Sequence, residues 1–232
     1  MALVKYGAGI IQMSGSIAGN TFARNAYGNY VRSRTKGVNP NSAMQQSIRN
    51  AMAQLTARWS STLTAAQRSA WNTYAEALNW LNRLGEEIAL TGFNHYIRSN
   101  LARLYAGLEI VDDGPATLAL PDADAEFDVA YSEASGEVTV TFDDERAWCD
   151  VTGAGLSVFI GSPVNETRNY FDGPWKFAGL IAGDDSTAPT SGATITVPWS
   201  FAEDHKMFAY GRILKGDGRV SSPFRASATA AA

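Results

Sequence analysis

The sequence predicts an α+β protein of several modules: an N-terminal arm or β-hairpin, then short helices, then an antiparallel β-sandwich. The spacing of apolar residues carries most of that expectation. From about residue 41 to 110 they recur at three- and four-residue intervals, and beyond 125 they alternate. Asp112-Asp113-Gly114-Pro115, followed by Pro121 to Asp124, is a polar break between the two patterns. Charge divides at nearly the same place. Residues 1–105 hold 11 Lys and Arg against 3 Glu, a net of +8, and the remainder nets −12. Such asymmetry points to modules that face different surroundings. The expected divisions are an arm over 1–40, a three-helix module over 41–110, a linker over 111–124 and the sandwich over 125–232.

The arm is Gly-, Asn- and Arg-rich, and no acidic residue occurs before Glu76. Thr21 to Arg24 and Tyr30 to Arg34 are short alternating runs. Gly28 between them can take a positive φ, and Asn29 tolerates one, so a hairpin turn is expected there. Alternation puts Phe22 and Arg24 on one face of the first run, and Tyr30, Arg32 and Arg34 together on the second. Arginine rows beside aromatic rings do not make a core, and a two-stranded ribbon is marginal alone in water. Two readings fit: an ordinary hairpin packed on its own domain, or an arm that orders on an adjacent subunit. In the second reading the partner-binding residues are Phe22, Arg24, Tyr27, Tyr30, Arg32 and Arg34.

Pro40 closes the arm. Ser42-x-x-Gln45 and Thr64-x-x-Gln67 read as capping boxes that open two helices. Met44, Ile48, Met52, Leu55 and Trp59 form the stripe of the first, and Trp71, Tyr74, Ala75 and Leu78 that of the second. Residues 82–87, with Gly85, read as a connection. Thr91 or Asn94 caps a third helix, with Phe93, Ile97, Leu101, Leu104 and Leu108 inward and Gly107 near its end. Three stripes of this kind bury against one another or against a partner. Trp59, Trp71 and Trp80 are expected in that core.

Seven strands are expected in the last module, at Phe127 to Tyr131, Glu137 to Phe142, Leu156 to Ile160, Trp175 to Ile181, Ala193 to Val197, His205 to Leu214 and Arg219 to Ala226. Val138, Val140 and Phe142 alternate with Thr139 and Thr141, the pattern of a half-buried strand. Gly216-Asp217-Gly218 is a hairpin signal. Seven short strands in about a hundred residues suggest an immunoglobulin-like sandwich. With a single Cys the Cys…Trp…Cys hallmark is absent, so a fibronectin type III-like variant fits better. The final hairpin, MFAYGRILKGDGRVSSP, is similar to the last two strands of that family.

Apolar content of 45% and charged content of 18% are those of a globular chain. The lone Cys149 excludes an intrachain disulfide and fits a reducing site of synthesis. No apolar run approaches the roughly 18 residues of a membrane span, and no signal-peptide h-region is read near the start. The sequence contains no G-x-S-x-G, H-E-x-x-H or G-x-x-x-x-G-K-[ST], so no catalytic residue and no cofactor site is expected. His95 and His205 lie in different modules without further ligands and are expected as ordinary core or surface residues. Asp122, Asp124, Glu126 and Asp128 alternate like a calcium loop, but Phe127 stands where such a loop needs Gly. A solvated acidic linker is expected there, and no metal site. Direct nucleic-acid binding is not expected, because the Arg residues of the helices are spread singly.

Residues 9–105 resemble structural proteins encoded by tailed bacteriophages and prophages. The segments that carry the resemblance are SGSIAGNTFARNAYGNYVRSRT, VNPNSAMQQSIRNAMAQLTARW, LTAAQRSAWNTYA and LTGFNHYIRSN. A Gly-rich basic arm followed by N-P-x-[ST]-x-x-Q-x-x-x-R and a β-sandwich is also similar to other bacterial families. The resemblance implies a non-enzymatic virion component made in the host bacterial cytoplasm. Its implied partners are other virion proteins, the major capsid protein first among them, and copies of itself, with no membrane. The expected role is capsid decoration, with the arm and helices on the shell and the acidic sandwich outward. The alternative is a tail- or surface-attached adhesin whose sandwich contacts a host glycan or protein. Tyr170, Phe171 and Trp175 would suit sugar stacking there, and burial explains them at least as well.

Overall fold

Alternation and one permissive glycine build the N-terminal sheet. The computed structural model describes residues 2–232 apart from Ala26 and Arg83. Strands β1 (Ala2–Leu3), β2 (Gly15–Ile17), β3 (Asn20–Asn25) and β4 (Gly28–Ser33) form an antiparallel sheet in the order β1-β4-β3-β2. Asn25 pairs directly with Gly28, whose φ of 115° lets the chain reverse within two residues. The expected hairpin is therefore present, with a strand added on each side. Asn29 belongs to the ladder rather than the turn, opposite Arg24.

The helices begin where the caps dictate. Helix α1 (Ala43–Ser61) starts at Ser42, whose hydroxyl accepts the Gln45 N–H at 3.3 Å. The return bond of a capping box is not made: the Gln45 side-chain oxygen has no partner, and Gln46 donates to the Asn41 carbonyl instead. Helix α2 (Ala65–Glu76) has the full box, with Thr64 and Gln67 bonded in both directions. Strands β5 (Trp80–Leu81) and β6 (Glu87–Ile88) follow, so residues 82–87 include the turn of a short hairpin rather than a plain connection. Helix α3 (Gly92–Tyr105) is capped by Thr91, not Asn94. Leu55, Leu63, Trp71, Tyr74, Tyr96 and Ile97 form the helical core. Trp71 is fully buried there, edge-on to Tyr74 and Tyr96, whereas Trp59 and Trp80 are half-buried.

The seven expected strands are all present: β7 (Asp128–Ser132), β8 (Glu137–Thr141), β9 (Gly155–Gly161), β10 (Trp175–Ala182), β11 (Ala193–Thr196), β12 (Lys206–Leu214) and β13 (Phe224–Thr229). They make two antiparallel sheets, β11-β8-β7 and β10-β9-β12-β13, with a common core between them. Alternation selects the inward residues, among them Val138 and Val140, Leu156, Val158 and Ile160, and Met207, Ala209 and Ile213. The Lys215–Arg219 turn forms as expected, with Gly218 at φ 88°. The last strand starts later than its sequence pattern suggests. The buried Ser221 hydroxyl takes the Ile213 N–H, and Pro223 offers no N–H of its own, so regular pairing resumes only at Phe224.

The segment between helices and sandwich is tied to both at several points, although Asp122, Glu126 and Asp128 are exposed as expected of a solvated acidic linker. Gly114 lies so close to helix α2 that a Cβ there would sit 2.7 Å from Ala70. The Trp71 indole donates to the Asp112 carbonyl, and Arg58 grips the Asp112 carboxylate through two bonds of 2.7 Å. Asp124 is buried and accepts the N–H groups of Glu126 and Asp143.

Helix α3 joins the two cores. Its expected apolar stripe is only partly enclosed: Ile97 is buried and Phe93, Leu101, Leu104 and Leu108 are half-buried. The most buried stripe is polar, comprising His95, Ser99, Asn100 and Arg103. Arg103 donates to the carbonyls of Glu109, Gly153 and Lys215, and Arg98 to those of Val220 and Ser221. These forks fasten the helix to loops of the sandwich. Tyr105 completes the seam by stacking on Phe159 and meeting Phe177 edge-on. His95 is a core residue. The Trp80 indole donates to its Nε2, and burial, reinforced by the nearby Arg98 charge, lowers its pKa to about 4.

Candidate functional site

The arm is a sheet without a core. None of the described residues from Ala2 to Asn50 is buried, and neither hydrophobic core draws a member from that stretch. Register assigns its side chains to two faces. Phe22 stands opposite Val31, and Arg24 opposite Asn29; Tyr30 stands opposite Ala23 and Leu3, and Arg32 opposite Thr21. The Phe22–Arg24 row and the Tyr30–Arg32 row therefore face opposite ways, a division that alternation within each strand does not reveal. Arg34 lies just beyond β4, with its N–H bonded to the Gly19 carbonyl. Tyr27, in the turn, is 39% exposed.

The six residues are thus gathered on one small sheet, but as two surfaces and a tip. The side chains of Arg24, Arg32 and Arg34 form no ion pair among the described residues. The sheet touches the rest of the chain lightly. Lys5 pairs with Glu86, and the Asn82 amide reaches the Tyr27 carbonyl at 3.5 Å. Bonds from Lys5 and Asn82 hold the Glu86 carboxyl below its ordinary range.

The same want of cover continues into α1. Met44 is 56% exposed and Met52 is also exposed, and only Leu55 of the helix is buried. Apolar groups are further presented by Ile11, 95% exposed, and by Ile17. Strands β1 and β2 are the edges of the arm sheet, so their outward backbone groups lack a ladder partner. This arrangement can do three things chemically. It can accept an added strand, offer Arg forks to carboxylates or carbonyls, and bury Phe22, Tyr27 and Tyr30 against an apolar surface.

On the sandwich, Tyr170 is 67% exposed but Phe171 is 2% exposed and packs between Trp175 and Phe208. Of the three aromatic residues considered for sugar stacking, Phe171 is therefore a packing residue, and Trp175 is half-buried. The polar stripe of α3 was the feature that sequence reasoning missed. Its signal was present in His95, Ser99 and Arg103 at four-residue intervals, a core spacing filled by polar groups. Among the described residues, no group of three or more His, Cys, Asp or Glu could hold a metal ion, and no helix is long and apolar enough to cross a membrane. No protein-family model and no curated protein sequence matches the chain.

Proposed function

We propose that the protein is a non-enzymatic structural component of a phage virion, attached to its neighbours through the N-terminal sheet and the exposed part of α1. Capsid decoration is the role that fits best, with the major capsid protein as partner. The observation that carries this reading is a four-stranded sheet with no buried residue. Such a sheet gains little from apolar burial to offset the entropy of ordering it, and a neighbouring subunit would supply the missing face. The arginines, without ion pairs among the described residues, and the exposed methionines of α1 are further groups that a neighbour could cover. The sandwich is read as fibronectin type III-like, a reading supported by its split into sheets β11-β8-β7 and β10-β9-β12-β13.

Locating the protein in the density of intact virions tests the assignment. A regular lattice of copies over the head is expected, with the arm against the shell. A few copies at the tail tip would favour the adhesin, and absence from particles would end both readings.

A further inference from the structure

Half of the cations in the acidic half of the chain lie along one face of the sandwich, while Arg146, Lys215 and Arg219 line a separate pocket near the 144–150 loop. Residues 106–232 contain eight Lys and Arg. Four of them, Arg168, Lys206, Arg212 and Arg225, lie over aromatic rings on the outer face of the β10-β9-β12-β13 sheet. Register explains the grouping. Tyr210 pairs with both Phe159 and Arg225, and Phe159 pairs with Phe177, so one row across the sheet reads Phe177, Phe159, Tyr210, Arg225. Tyr105 covers one end of that row. The other end opens into a groove lined by Asn169, Tyr170, Phe208, Arg225 and Ser227. None of the four cations forms an ion pair among the described residues, although Glu166 and Asp172 share the loop of Arg168 and Glu203 and Asp204 precede Lys206.

The opposite end of the sandwich carries the complement. The loop before β9 and the loop after β10 are hydrogen-bonded together through Asp184 to Cys149 and through Ser191 to Asp144. They expose Asp144, Glu145, Asp150, Asp184 and Asp185, none of them ion-paired among the described residues. Strand β9 runs its whole length between the two ends, roughly 20 Å at the rise of an extended chain. A single copy therefore cannot bring its own acidic tip to its own cationic groove.

We propose that the groove receives the acidic loop tip of a second copy, head to tail, when copies are held side by side in the assembly. This rests on the structural reading above for its setting but not on the arm for its contacts. Guanidinium groups backed by aromatic rings are well placed to bind carboxylates, and the exposed Tyr170 ring can cover the contact from water. A head-to-tail contact between different patches fits a lattice of repeated copies. A nucleic acid is a poorer occupant, because the surrounding half of the chain repels a dense polyanion.

Charge reversal with exchange tests this on the full chain, by sedimentation at high protein concentration and low salt. The wild type is expected to self-associate, and more weakly as salt rises. Lys206→Glu with Arg225→Glu should weaken self-association about tenfold or more, and so should Asp150→Lys with Asp185→Lys, whose carboxylates accept no backbone N–H. Mixing the two reversed proteins should rebuild the contact, because each groove then meets a tip of opposite charge, and combining all four changes in one chain should restore it as well. Arg32→Gln with Arg34→Gln reports separately on association through the arm. Association lost with the arm variant but kept with the groove variant would overturn the groove and spare the arm reading. A four-fold variant that stays folded yet monomeric would overturn the pairing, and so would a wild type that binds oligothymidylate in the groove but not itself.

Discussion

Gly218 answers two constraints at once. Its φ of 88° is one that side chains resist, and a Cβ there would lie 3.3 Å from the Trp71 ring. The hairpin signal in the sequence accounts for the first constraint; the second exists only because the sandwich turn rests on the helical core. Gly218→Val should therefore destabilise the chain by about 1 kcal/mol or more, read from denaturant unfolding, with Trp71 emission perturbed. An unchanged midpoint would mean that the turn tolerates the strain. His95 sets a pH dependence of calculable sign. Its folded-state pKa of about 4 lies below the ordinary 6.5, so the unfolded chain takes up a proton first as pH falls. Stability is thus full above 6.5 and declines between 6.5 and 4, by an amount on the order of 1–3 kcal/mol. Asp112, held low by its bonds to Arg58, loses its contribution only below the ordinary carboxylate range, so the two windows separate. His95→Gln should flatten the upper window; a wild-type stability that is level from pH 7 to 5 contradicts the assignment.

Helix α3 is the element on which the two halves depend. Arg103 satisfies three carbonyls from three separate loops, and a leucine in its place would leave them without that donor. Arg103→Leu is expected to cost about 2–4 kcal/mol, several times the loss from Thr64→Ala at the α2 cap, which should be near 1 kcal/mol. Equal losses would place the strength of the seam elsewhere. The contrast also shows what a sequence discloses. Caps, stripes and the Gly28 reversal are local, so the helices, the hairpin and all seven sandwich strands were legible. The partners of Arg98 and Arg103 are backbone carbonyls, which have no signature in residue type. Strand β1 is two residues long and pairs with β4 across more than twenty-five residues, so periodicity had nothing to read. The candidate site shares this limit. Its six residues could be named from composition and alternation, but their division between two faces depends on register.

The whole molecule consists of two cores joined by a polar seam and a sheet that has no core. The sandwich core is complete without any helical residue, so a fragment of residues 122–232 is expected to fold with β-type circular dichroism. It should unfold at lower denaturant than the full chain, because removing α3 uncovers Phe159 and Phe177 and frees the carbonyls that Arg98 and Arg103 hold. A disordered fragment would show that the seam is part of the fold rather than a joint. The arm stands in the opposite relation to the rest: among the described residues it meets the helical module through the exposed Lys5–Glu86 pair, the long Asn82–Tyr27 bond and, at its end, a bond from Arg49 to Asn39. Exposed pairs contribute little, so the helices and sandwich are expected to draw little stability from residues 1–38. Deleting residues 1–38 should leave the melting transition of helices and sandwich within about 0.5 kcal/mol of wild type while abolishing incorporation into particles. Arg32→Glu with Arg34→Glu should weaken incorporation in the same direction, because reversed charges meet carboxylates or carbonyls on the neighbour. Phe22→Ala, on the other face, then reports whether the neighbour covers one face or both. Full occupancy of the truncated protein in particles would transfer the attachment to the exposed methionines of α1.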